Sequence, residues 1–131
     1  MYSFDTDIVI DFLRGEPEVV KKIDELTNKE AQIFITPIVL CELYEGAYKS
    51  KNSVENVKLV EDFLIRVNYL DFSALSCKSF GEVKTMLSKK GKPTQDFDLM
   101  IAAVTLSRNL TLVTRNRKHF ENIPDLKIEV W

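Results

Sequence analysis

Apolar residues recur along this chain with two different periods. Short apolar runs at Tyr2–Phe4, Ile33–Ile35, Tyr69–Phe72, Leu110–Val113 and Ile128–Val130 predict strands. Between them, apolar positions spaced by three and four residues predict helices. Ile8, Val9, Phe12 and Leu13 form one stripe, capped by Thr6 and ended by Gly15. Val19, Val20, Ile23 and Leu26 form a second, with Pro17 in its first turn and Thr27-Asn28 at its end. Thr36-Pro37 is a cap followed by a proline, so residues 38 to about 48 read as a third helix, with Glu42 in its second turn. Ser53 caps a fourth, with Val57, Val60, Phe63, Leu64 and Val67 on one face. Ser73 opens a fifth through Ser76, Phe80, Val83 and Leu87, and a sixth runs from near Asp96 to Leu106. The breakers fall in the basic loop Ser88–Pro93.

Short strands alternating with helices imply an α/β fold: a parallel sheet covered on both faces, with function gathered beyond the carboxyl ends of its strands. Four glycines, four prolines and 45% hydrophobic residues suit one compact domain over residues 1–131, and no repeat or low-complexity linker divides it. Eighteen basic against 20 acidic side chains leave a net charge of -2, which excludes a general attraction to polyanions. Nucleic-acid binding must then come from local patches. No apolar run approaches the roughly 18 residues of a membrane span, and Met1 leads into a strand without a basic leader. The expectation is a soluble cytoplasmic protein with no membrane contact. Cys41 and Cys77 fall within helices and read as small apolar side chains in a reducing compartment.

Three acids change the picture. Asp5 ends the first strand, while Glu42 and Asp98 lie early in helices, so three crossovers bring them to one sheet edge. Carboxylates packed together raise each other's pKa unless a cation neutralises them. Oxygen ligands without a cysteine or histidine cluster point to magnesium or manganese and away from zinc. The fitting chemistry is phosphodiester hydrolysis, for which a divalent ion activates water and stabilises attacking and leaving oxygens without a histidine base. Taken singly, Asp5 and Asp96 also read as caps or first-turn acids, and Glu42 as a solvated helix residue. Val39, Leu40, Cys41, Leu43 and Tyr44 around Glu42 argue for partial burial. Thr114-Arg115-Asn116 follows the fourth strand at the same edge, where Asn116 offers a neutral oxygen ligand or a hold on a bound water.

Four segments carry a family likeness. Phe4–Asp11 resembles the opening of PIN-domain proteins, specifically the VapC toxins of toxin-antitoxin pairs. Thr36–Gly46 resembles their second motif, a serine or threonine before a helix bearing the acid. Asp98 followed by Ile101-Ala102-Ala103 resembles the third. Leu112–Asn116 with His119-Phe120, Ile123-Pro124 and Glu129–Trp131 resembles the C-terminal signature. The resemblance spans the chain in order. It implies a PIN-like three-layer α/β/α sandwich with a central parallel sheet of about four to five strands. It also implies an Mg2+- or Mn2+-dependent endoribonuclease acting on transfer or ribosomal RNA, a cognate VapB-type antitoxin, and dimerisation. Asp5, Glu42 and Asp98 carry the metal and catalytic role, with Asp96 as a fourth acid or an N-cap.

Position 7, often asparagine in that family, is Asp7 here, and Asn116 stands where some relatives carry an acid. Thr6, Asp7, Thr114 and Asn116 are supporting residues on this reading. Lys89, Lys90, Lys92, Arg115 and Arg117 flank the cleft and are candidate RNA contacts or simply solvated charge. His119, the one histidine, fits a structural hydrogen-bonding role better than that of a base. Tyr44, Tyr48, Phe63 and Phe80 read as core or dimer packing. Two alternatives stay inside the fold: an RNA-processing nuclease without an antitoxin, and a silent RNA- or protein-binding domain. A phosphoacceptor receiver domain would use Asp71 but needs a lysine ending its fifth strand, and neither Leu112–Thr114 nor Ile128–Val130 supplies one.

Overall fold

The structure, a computed structural model, describes residues 1–131. Five strands, β1 (Tyr2–Phe4), β2 (Ile33–Ile35), β3 (Asn68–Tyr69), β4 (Thr111–Thr114) and β5 (Lys127–Val130), form one all-parallel sheet in the order β3-β2-β1-β4-β5. Seven helices cover its two faces: α1 (Thr6–Leu13), α2 (Pro17–Asn28), α3 (Pro37–Lys49), α4 (Ser53–Leu64), α5 (Ala74–Lys89), α6 (Asp96–Ser107) and α7 (Arg117–Phe120). This is the three-layer α/β/α arrangement expected from the alternation of elements.

The strand order creates the site. From β1 the chain runs outward through β2 to β3, then crosses back through α5 and α6 to place β4 on the other side of β1. The direction of winding therefore reverses at β1, and the crevice beyond its carboxyl end opens there. Phe4 is in register with Val113, and the Asp5 N–H donates to the Val113 carbonyl at 2.9 Å. Asp5 and Thr114 thus leave the sheet side by side.

A single core cluster of 25 buried residues sits on the central strands, with Phe4, Ile35, Leu112 and Val113 fully enclosed. Helix α6 is buried on almost every side: Leu99 and Ile101–Thr105 are all inaccessible, so it shows no amphipathic stripe. Its buried Thr105 hydroxyl donates to the Ile101 carbonyl and leaves no polar atom stranded.

Several local expectations are corrected. The cap of α1 is Asp5, whose Oδ1 accepts the Thr6 N–H at 2.8 Å, and Thr6 is the first helical residue. At α4 the boundary residue is Asn52, and Ser53 lies in the first turn. That helix stops at Leu64, short of Val67. The third strand is shorter than the apolar run at 69–72 and shifted to Asn68–Tyr69. Its only partners are Phe34 and Ile35 at the end of β2, and Phe72 leads directly into the Ser73 cap of α5. Helix α5 absorbs Ser88 and Lys89, and Gly91 then takes the left-handed turn with φ 67°. Tyr48 is exposed and takes no part in the core, and both cysteines are exposed free thiols. The one-turn helix α7 carries too few residues for a periodic signal.

Candidate active site

Asp5 projects from the end of β1 and is nearly enclosed. Its Oδ1 takes the Thr6 N–H, while its Oδ2 accepts the buried Thr114 hydroxyl at 2.7 Å. The local chain geometry follows from the cap: an extended Asp5 (φ -72°, ψ 160°) turns the backbone from strand into helix. Freed from capping, the Thr6 hydroxyl donates to Glu42 Oε1 at 2.7 Å. Glu42 comes from α3, which Thr36 starts by accepting the Val39 N–H and which Pro37 stiffens at its first position.

Asp98 enters from the first turn of α6. Its Oδ2 lies 3.2 Å from His119 Nδ1, so α7 helps to hold it. Asp7 stands behind Asp5 in α1. Its Oδ2 accepts the Arg115 N–H at 3.2 Å and the Asn116 side-chain amide at 3.1 Å, while its buried Oδ1 has no partner. Arg115 also reaches Asp11 Oδ2 with Nη1 at 2.5 Å, clasping the turn after β4 to α1.

The electrostatics bind these groups into one site. Burial raises the Asp5 carboxyl above its ordinary range, opposed by the Thr114 hydroxyl, the Thr6 N–H and the nearby His119. Burial also raises Glu42, against the Thr6 hydrogen bond, and the charges of Asp5 and Asp98 push it further up. Asp98 is raised by burial and then by Asp5, with His119 pulling it back. Asp7 is pushed up to about 6, by burial first and by Asp5 second. Four acids therefore hold their charge at a cost: burial raises all of them, and the Asp5 charge adds to the cost at Asp7, Glu42 and Asp98.

A family model for the PIN domain matches residues 2–126. Ribonuclease VapC2 of Rickettsia felis is 38% identical over 131 residues, spanning 100% of this chain and 98% of that protein. The chain is a PIN domain of the VapC family. The tRNA(fMet)-specific endonuclease VapC of Shigella flexneri is 32% identical over 130 residues, spanning 99% of this chain and 97% of the relative. Among solved structures, VapBC2 from Rickettsia felis bound to a promoter DNA fragment superposes with a TM-score of 0.92. That match is at 37% identity and covers 99% of this chain and 98% of that one. DNA-bound VapBC from Salmonella typhimurium gives 0.90 at 35% identity, covering 99% and 97%.

Within this VapC-family fold the acids expected from the sequence separate. Asp5, Glu42 and Asp98 converge at the carboxyl end of β1. Asp96 does not join them: it is the first residue of α6, the boundary residue is Gln95, and its Oδ1 accepts from Lys84 Nζ at 2.8 Å on the surface. Successive helical positions are about 100° apart, so Asp98 and Asp96 leave α6 in different directions. Asn116 spends its amide on Asp7, and Arg115 is engaged by Asp11 and Asp7. Lys89, Lys90, Lys92 and Arg117 are exposed and unattached to the acids. Two relationships were not read from the sequence. The His119–Asp98 contact depends on the one-turn helix α7. The Asp11–Arg115 pair joins residues 104 apart, and its only sequence trace is an acid on an otherwise apolar stripe.

The donor set of Asp5, Glu42 and Asp98 suits a hard divalent cation, being carboxylate oxygens only and of one charge, and beside it the buried Asp7 Oδ1 is left without a partner. The carboxylates are not drawn into a finished shell, since no three acid, cysteine or histidine side chains cluster tightly enough. Each is held from outside instead, by Thr6, Thr114 or His119.

Proposed function

We propose that this chain is a metal-dependent endoribonuclease and the toxin of a VapBC-type pair. The observation that carries the reading is the convergence of Asp5, Glu42 and Asp98 from three separate elements, close enough that the Asp5 charge raises both of the others and Asp98 raises Glu42. Asp5, Glu42 and Asp98 would hold Mg2+ or Mn2+. When bound, such an ion supplies Lewis acidity toward the phosphodiester and lowers the pKa of water near it.

The protein's own part is orientation. Thr114 fixes one Asp5 oxygen and the Thr6 amide the other. Thr6 sets Glu42 through its hydroxyl, coupling α1 to α3, and His119 holds Asp98 from α7. In hydrolysis a water oxygen bonds to phosphorus and gives up a proton, the phosphorus–ribose oxygen bond breaks, and the departing oxygen takes up a proton. The name of the Shigella relative favours tRNA as substrate, and the VapBC complexes favour a small VapB-type antitoxin as partner. Family membership favours a homodimer in the cytoplasm.

The test is cleavage of total RNA by purified protein in Mg2+, Mn2+ or EDTA, beside Asp5→Asn and Asp98→Asn. Cleavage is expected only with a divalent ion and intact acids. Survival through chelation and both substitutions would overturn the reading. Growth arrest on expression, relieved by a short open reading frame next to the gene, tests the toxin role. Harmless wild-type expression in the native host would count against it.

A further inference from the structure

The chain has eight phenylalanines, and seven lie buried or half-buried. Phe97 alone is exposed, at 51%. A solitary exposed apolar side chain is ordinary on a protein surface. What sets this one apart is its place: it is bonded directly to Asp98, at the rim of the carboxylate site.

Four consecutive residues divide the first turn of α6 between them. Leu99 enters the core, Asp98 meets His119, and Asp96 meets Lys84 on α5. At about 100° per residue, Phe97 falls between Asp96 and Asp98 and away from Leu99, so its ring faces solvent beside the site. The local charge also suits a polyanion. Lys84 neutralises Asp96, and the exposed Lys89, Lys90 and Lys92 lead along the α5–α6 connection to this turn. An aromatic face flanked by lysines is the combination that binds unpaired nucleotides, through stacking on the base and attraction to the phosphates.

We propose that Phe97 is a stacking platform for an unpaired RNA base next to the phosphodiester that Asp98 serves, with Lys89, Lys90 and Lys92 along the adjoining backbone. This rests on the RNA-cleaving reading above and adds a substrate requirement to it. A base inside a duplex has no free face to offer, so the ring engages only a base that is unpaired where it meets α6.

The test uses the full chain and total tRNA, comparing wild type with Phe97→Leu, Phe97→Tyr and Phe97→Trp. Leucine keeps the apolar bulk and removes the π face. Phe97→Leu is expected to raise KM about ten-fold while kcat falls less than about three-fold, and both aromatic variants to stay within about three-fold of wild type. A second readout needs no turnover. Asp98→Asn should quench a single-stranded RNA oligonucleotide carrying 2-aminopurine, and Asp98→Asn/Phe97→Leu should quench it far less. A leucine variant with wild-type KM overturns the proposal, as do aromatic variants as impaired as leucine. Unchanged KM with an altered oligomeric mass assigns the ring to a protein contact and also overturns it. If wild type cuts no RNA, the nuclease reading falls, and the quenching comparison still decides the stacking.

Discussion

Thr6 donates its hydroxyl to Glu42 at 2.7 Å, across 36 residues of sequence, and so ties the first turn of α1 to α3. The bond exists because Asp5, one residue earlier, takes over the capping of α1. Thr6→Val should therefore leave the cap intact and remove only the restraint on Glu42. RNA cleavage is expected to fall about 10–100-fold, with Thr6→Ser recovering most of it. Initial rates at several Mn2+ concentrations check this, and equal rates for valine and threonine would refute it.

A pH experiment follows from the acids. A carboxyl whose pKa is higher folded than unfolded binds more protons in the native state. Its contribution is then fully present below the unfolded value and is lost as pH rises through the folded one. For Asp7 those limits are 3.8 and about 6. Without divalent ions, the melting temperature of wild type relative to Asp7→Asn should fall between about pH 4 and about pH 7. A difference that stays constant, or grows in favour of wild type, would contradict the burial and repulsion assigned to Asp7.

Cation binding should oppose the same trend. Ionised carboxylates are the ligating form, and a ligand that binds only the folded state stabilises it by mass action. Mn2+ should raise the melting temperature more at about pH 7 than at about pH 5, and Asp98→Asn should abolish most of that shift. Equal shifts in the variant would move the cation elsewhere.

Two ion pairs of similar geometry should differ in worth. Lys84–Asp96 is exposed on both sides, so Asp96→Asn is expected to cost under about 1 kcal/mol. The Asp11 side chain in Arg115–Asp11 is only 11% exposed. Arg115→Met would strand that carboxylate and should cost about 1–3 kcal/mol, read from urea unfolding. The reverse ranking would show that Asp11 finds water or another donor.

Ser3 offers a gain. Its hydroxyl is fully buried in β1 with no hydrogen-bond partner. Ser3→Ala removes an unsatisfied polar atom without changing shape, and should stabilise the fold by about 1 kcal/mol or leave it unchanged. A clear loss of stability in thermal melts would reveal a hidden partner.

Most of the layer order was readable because each helix but α6 and α7 carries a one-sided apolar stripe, and because Thr36 and Ser73 announce their caps. The place of Asp5 at a strand's end was readable from the break after Phe4, and that of Asp98 from its position early in a helix. Asp96 misled because composition cannot say which way a first-turn side chain leaves a helix, and a lysine 12 residues earlier claimed it. The part played by His119 was hidden because it depends on where a one-turn helix docks. Tyr69–Phe72 looked like a full strand because apolarity was visible while the shortness of its partner's free end was not.

The placement of β4 beside β1 has a consequence in time. Asp5 is bonded to Thr114, 109 residues later in the chain, and Asp98 to His119 beyond it. At roughly 5–20 residues per second, about 5–20 s separate the synthesis of the first acid from that of its partner. Non-local parallel pairing is also slow to form once both strands exist. A fragment of this chain ending before β4 lacks the hydroxyl that fixes Asp5 and the imidazole that meets Asp98, so the site is completed only when the polypeptide is nearly finished.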